Sequence, residues 1–136
     1  MKTIHVKEPG GPESMQLVDV AKPQPGPKQA LVRIAAIGVN FIDIYFRKGL
    51  YKAEMPMVLG NEGAGTVEAI GAEVTEVHVG DRVAWAMHRG SYGEYAAVPA
   101  SLLVKIPEGV DFQTGAAAML QGMTAHYLTH STYALK

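Results

Sequence analysis

From Leu59 to Val74 the chain reads LGNEGAGTVEAIGAEV, with glycine at 60, 63, 65 and 71 and one carboxylate, Glu62, between the first two. Such a run either cradles a phosphate or lets two backbones approach closely, and the two uses leave different spacings. A dinucleotide-binding turn reads G-x-G-x-x-G between a strand and a helix. Here the position three after Gly65 is Glu68, and no Gly-Lys-Ser/Thr triplet is present. The next residues, Thr66-Val67-Glu68-Ala69-Ile70, form an alternating, β-branched stretch that predicts a strand. Glycines inside a strand mark close approach, a bulge or a tight barrel corner. The run therefore predicts a corner in a β-structure and argues against a phosphate loop.

The rest of the chain agrees with that reading. Thr3 to Lys7 alternates and gives way to the turn Glu8-Pro9-Gly10-Gly11-Pro12; Met15 to Val20 alternates again. Pro23, Pro25 and Pro27 stiffen the connector to a long apolar strand, Gln29 to Ile37. Arg82 to Trp85, Tyr92 to Pro99 and Leu102 to Ile106 complete the set. Many short strands separated by Gly and Pro turns predict a mainly β chain with short helices, a barrel or a sandwich. Two segments have helical patterns. Asn40 to Lys48 stops at Gly49, and a second helix capped by Asp111 runs through Leu120, breaks near Gly122 and restarts at Thr124 toward Tyr133.

Composition excludes several function classes. The chain has 136 residues, 48% hydrophobic and 18% charged, enough for one domain with a real core. A net charge of −1 without a basic run gives nucleic acid nothing to bind electrostatically. There is no cysteine, which removes disulfides, thiolate catalysis and cysteine-ligated zinc together. The start, MKTIHVKEPGGPE, turns polar too soon for a secretory signal, and no apolar run approaches membrane-spanning length. A cytoplasmic location, with no membrane contact, is the expectation.

Four ordered stretches carry a resemblance: IGVNFIDIYFRKGLY (Ile37 to Tyr51), LGNEGAGTVEAIGAEV with VGDRVAW (Val79 to Trp85), GSYGEYAAVP (Gly90 to Pro99) and AAAMLQGMTAHYLTHSTY. They resemble the N-terminal half of the medium-chain dehydrogenases/reductases, most closely the zinc-free quinone oxidoreductases of the zeta-crystallin group. The resemblance implies a GroES-like β-barrel catalytic domain over residues 1–121. Residues 122–136 would begin the helical connection to a Rossmann domain that holds most of the NADPH. It also implies a quinone or enone substrate, hydride transfer without zinc, and a homodimeric parent. Zinc relatives carry a cysteine where this chain has Asn40 and a histidine where it has Asn61; amides are poor ligands for this borderline-soft ion. Two rivals stay open: a zinc-type alcohol dehydrogenase relative, and a non-enzymatic GroES-like binding module.

By the same resemblance Asn40, Tyr45 and Tyr51 lie at the catalytic cleft, and Asn40, Tyr45, Gln121 and Thr124 meet the cofactor. All but Tyr51 have a plainer reading beside them. Asn40 can cap the short helix, Tyr45 can pack among Phe41, Ile44 and Phe46, and Gln121 and Thr124 can simply straddle a helix kink. Asp43 is expected to pair with Arg47 at i+4, Arg82 to serve as a surface or loop pair, and Glu62 to hold the barrel loop. His126 and His130 share a helix face, but no H-E-x-x-H pattern surrounds them, so no metal site is expected.

Overall fold

The computed structural model describes residues 1–133. Its eight strands form two antiparallel sheets. In the smaller, β1 (Lys2–Val6) lies between β2 (Met15–Asp19) and β4 (Met57–Val58). The larger is ordered β7 (Tyr95–Pro99), β3 (Gln29–Ile37), β5 (Glu62–Ile70), β6 (Arg82–Ala86), β8 (Val104–Lys105). The two sheets meet where Thr3 of β1 bridges Gly93, the Ile4 N–H donating to Tyr92 O at 2.8 Å and the Glu94 N–H to Lys2 O at 3.1 Å. The mainly β expectation holds. Strand β4 was not foreseen, and β7 begins at Tyr95 rather than Tyr92 because the residues before it are used in joining the sheets.

The glycine run is the middle of the larger sheet. Strand β5 pairs with β3 on one side and β6 on the other, and it begins at Glu62 rather than Thr66. A Cβ on Gly63 would lie 2.8 Å from the Trp85 ring, one on Gly65 would lie 2.1 Å from Arg33 O, and one on Gly71 would lie 2.0 Å from Gly26 O. The register of β3 against β5 shifts between Ile34 and Ala36, beside Gly65. The first two are close approaches of strand to ring and of strand to strand inside the sheet, and the third sets the turn after β5 against the connector before β3.

The main core lies along one face of the larger sheet and joins Val32, Val67, Val83, Trp85 and Val98 to Val74, Val77 and Leu103. Trp85 is fully buried and its Nε1–H donates to His88 O at 3.3 Å. On a second cluster, Ala64 and Ala84 are small enough to seat α2 (Phe112–Ala117) through Ala116, with Ile106, Phe112 and Met119 around it. Arg82 is no free surface charge: it donates to Val110 O at 2.5 Å and covers the Phe112 ring at 4.6 Å.

Asp111 caps α2 by accepting the Thr114 N–H at 2.7 Å. The expected break at Gly122 does not occur. Gly122 has helical angles, φ −65° and ψ −47°. The helical run continues through wide π-type turns at Ala118–Gly122, one α turn, α3 (Met123–His126), and further π-type turns at Tyr127–Thr132. Ala134, Leu135 and Lys136, the end of the expected helical connection, lie outside the described residues. Met123 and Leu128 are half exposed, whereas Met119 packs against the barrel.

Candidate functional site

Helix α1 (Phe41–Arg47) starts at Asn40 and ends where Gly49 takes φ +73°, a left-handed conformation that suits glycine at a helix C-terminus. Asp43, in its first turn, accepts the Asn40 backbone N–H at 3.0 Å, so Asn40 is the cap residue. The same Asp43 carboxylate accepts from Asn61 Nδ2 at 2.7 Å and from the Tyr92 hydroxyl at 3.1 Å. The expected Asp43–Arg47 ion pair is therefore not formed. Arg47 instead donates to Gly10 O at 2.8 Å, and tertiary partners have displaced the local i+4 one. Burial, with the Asp43 carboxylate alongside, pushes the Tyr92 hydroxyl well above the usual phenol range and keeps it a donor.

A second carboxylate lies beside the first. Glu62 is fully buried at the start of β5. Its Oε2 accepts from Asn40 Nδ2 at 2.8 Å, and its Oε1 accepts the Leu120 N–H at 2.7 Å and, more loosely, the Gln121 N–H at 3.4 Å. Gly38 makes this possible, because a Cβ there would sit 1.7 Å from Oε2. Glu62 thus fastens the last helical run to the barrel. It draws the Leu120 N–H toward itself where the turns widen, the distortion expected when a side chain enters the helical hydrogen-bond ladder.

Of the residues expected at the site, Asn40 and Gln121 come together through Glu62. The Gln121 side chain reaches Val39 O at 3.4 Å and Glu62 Oε2 at 3.5 Å. Asn40 is less available as a donor to a ligand than expected, since its amide group already donates to Glu62. Tyr45 and Tyr51 form a separate pair, edge to face at 5.5 Å, with Phe46 also edge-on to Tyr51 at 5.6 Å. Tyr45 does not pack in the core; both tyrosines are partly exposed, and neither hydroxyl has a hydrogen-bond partner among the described residues. Thr124 donates to Leu120 O at 2.6 Å, four residues back in its own helix, leaving its oxygen as an acceptor.

Beside this wall opens a cleft of about 830 Å3. It is lined from α1 by Ile42 and Phe46, from β4 by Met57, from the residue before β5 by Asn61, and from the loop after β6 by Met87, His88 and Arg89. None of the five expected site residues lines it: α1 turns Ile42 and Phe46 toward the cleft and carries Tyr45 elsewhere. Sequence reasoning missed Asp43, Asn61 and Tyr92 as one buried network. The only local signal was the asparagine–glutamate pair inside the glycine run. No group of three metal-ligating side chains occurs among the described residues.

His88 gives a pH handle on this loop. Burial lowers its pKa below the usual imidazole value, Arg89 adds to the effect, and the bond to Ala97 O at 3.0 Å opposes it. The unfolded chain binds the proton more readily, so the His88 contribution to stability is full above about pH 6.5 and is lost as pH falls toward the depressed folded value. Urea midpoints are expected to fall between pH 7.5 and 5.5, and His88→Gln should flatten that fall.

Comparisons with known proteins agree with the architecture. Residues 26–108 match the family model for the alcohol dehydrogenase GroES-like domain. The chain belongs to this family, within the quinone oxidoreductase group of the medium-chain dehydrogenases/reductases. It is 48% identical to a quinone oxidoreductase of Pseudomonas aeruginosa over 99% of this chain and 42% of that protein. It superposes on a quinone oxidoreductase of Pseudomonas syringae with a TM-score of 0.94 and 48% identity, covering 99% of this chain and 42% of that one. The Escherichia coli quinone oxidoreductase complexed with NADPH gives a TM-score of 0.95 at 36% identity, with 100% and 42% coverage. The chain therefore spans about two fifths of the length of these relatives.

Proposed function

We propose that this chain is the catalytic-domain portion of an NADPH-dependent quinone or enone oxidoreductase that works without zinc. The observation that carries the reading is the fate of the two amides at positions 40 and 61. Each donates to a buried carboxylate, Glu62 or Asp43. The two positions form a hydrogen-bonded wall whose donor set does not suit zinc. A conjugated carbonyl acceptor is already electrophilic and can be reduced without a Lewis acid, whereas alcohol oxidation gains much from one.

Residues 1–121 would be the catalytic domain and 122–136 the start of the helical connection to a cofactor-binding domain. NADPH, when bound, would supply the hydride. Asn40, Tyr45, Gln121 and Thr124 would bound one edge of its site; Asn40 and Gln121 meet at Glu62, while Tyr45 and Thr124 offer exposed polar groups on the helices on either side. Tyr51, its hydroxyl unpaired, would donate a hydrogen bond to the acceptor oxygen as negative charge grows there, and water would provide the proton. The parent would be a cytoplasmic homodimer. The 136 residues alone lack a glycine-rich dinucleotide turn and should neither bind NADPH nor turn over substrate.

The test uses a longer protein carrying both domains. It should oxidise NADPH with a naphthoquinone, should not oxidise simple alcohols with or without added zinc, and should hold far less than one zinc per chain after dialysis. Tyr51→Phe should keep the fold and lower kcat/KM roughly ten- to a hundredfold, the worth of one hydrogen bond that strengthens in the transition state. Alcohol oxidation or a stoichiometric zinc would instead favour the zinc alcohol dehydrogenase reading. NADPH binding by the short chain would show that the cofactor site is misplaced.

A further inference from the structure

We propose that Glu62 is a positioning residue for hydride transfer: its buried carboxylate holds Asn40 and Gln121 at the cofactor edge and favours the positively charged oxidised nicotinamide over the neutral reduced one. The proposal rests on the reading that the nicotinamide lies along Asn40 and Gln121, and it adds what sets the charge there. Glu62 is fully buried, and each of its hydrogen-bond partners among the described residues is an N–H. Oε1 meets the backbone N–H groups of Leu120 and Gln121, and Oε2 meets the side-chain amides of Asn40 and Gln121. None of these groups can accept a proton, so the surroundings are built for the carboxylate.

Among the described residues no cation pairs with it: the ion pairs are Lys22–Glu68, Lys28–Glu73, His78–Asp81 and Lys105–Asp81. Arg47, the buried cation of α1, is taken by Gly10 O. Asp43 adds a second buried carboxylate to the same wall, where it accepts the Asn40 N–H and offsets the positive end of the helix. Hydride transfer moves two electrons and one proton from NADPH to the acceptor. The ring left behind gains one positive charge; the reduced acceptor gains one negative charge and takes up a proton from water. A fixed anion in a dry interior stabilises positive charge as it develops and costs no reorganisation during the reaction. Tyr51 follows the opposite end of α1 from Asn40, which places the carboxylate by the ring and the hydroxyl by the acceptor oxygen.

The test compares NADP+ and NADPH binding to the longer protein carrying both domains, by titration calorimetry. Glu62→Gln should weaken NADP+ about tenfold more than NADPH, which raises the potential of the bound couple by about 30 mV. With a naphthoquinone, kcat should fall by a similar factor while KM for the quinone changes little. Glu62→Asp keeps the charge and shortens the reach. It should retain the wild-type ratio of the two affinities even as hydrogen exchange at Leu120 accelerates, and it carries the test if Glu62→Gln does not fold. Equal weakening of NADP+ and NADPH in Glu62→Gln, or a Glu62→Asp ratio displaced toward NADPH, would leave Glu62 as a fastening alone and overturn the proposal. A longer protein that binds neither nucleotide would remove the reductase reading and this proposal with it. One that binds both, with the ratio unchanged in a folded Glu62→Gln, would remove the proposal alone.

Discussion

Gly65→Ala is expected to destabilise the domain by about 3 kcal/mol or more, above the usual range for a methyl added to a packed interior. The new Cβ would lie 2.1 Å from Arg33 O and 2.9 Å from Arg33 C. Both are backbone atoms of β3, which also pairs with β7, so neither strand can yield without opening ladder hydrogen bonds. Urea unfolding should show a large fall in midpoint, or no folded protein at all. Gly80→Ala is the contrast. Gly80 has φ +94°, but a Cβ placed there would meet nothing within 4 Å, so only backbone strain remains, about 1–2 kcal/mol. Equal effects at the two positions would show that close approach is not what position 65 requires.

Glu62→Gln is expected to cost about 3 kcal/mol and to loosen the last helical run before the barrel. The carboxylate accepts from Asn40 on one oxygen and from Leu120 on the other. A glutamine must turn its own N–H toward one of these donors, leaving a buried donor unpaired. Hydrogen exchange should accelerate at Leu120 and Gln121 while the strands at Val32 and Val67 remain protected. Gly38→Ala should reproduce the pattern, because its Cβ would occupy the place of Glu62 Oε2. If exchange at Leu120 is unchanged in both variants, Glu62 is not the fastening.

The strands were legible where apolar residues alternate or where an apolar run is bounded by turn residues, as in Gln29–Ile37, whose limits are those expected from sequence. The beginning of β5 was not, because glycine, alanine and glutamate have weak strand preference and Glu62–Gly65 is a strand only by pairing on both sides. The continuous helix through Gly122 was hidden for a related reason: a glycine lowers helix propensity but does not forbid helical angles. At the site, the resemblance brought Asn40 and Gln121 into view. Asp43 was misassigned because the i+4 rule sees only neighbours in sequence. Its partners Asn61 and Tyr92 lie 18 and 49 residues away, and only the fold brings them near. The cleft lining draws on separate parts of the chain from Met1 to Ala97 and has no sequence signature.

The two inward-turned amides also bear on chemical durability. Soft nucleophiles attack quinones and enones by conjugate addition, and a thiolate is the most reactive of these in proteins. Positions 40 and 61 offer neither thiol nor imidazole, and the chain contains no cysteine. A wall of amides is not alkylated by an electrophile drifting past it, is not oxidised by peroxide from a cycling quinone, and keeps its charge state from mildly acidic to alkaline pH.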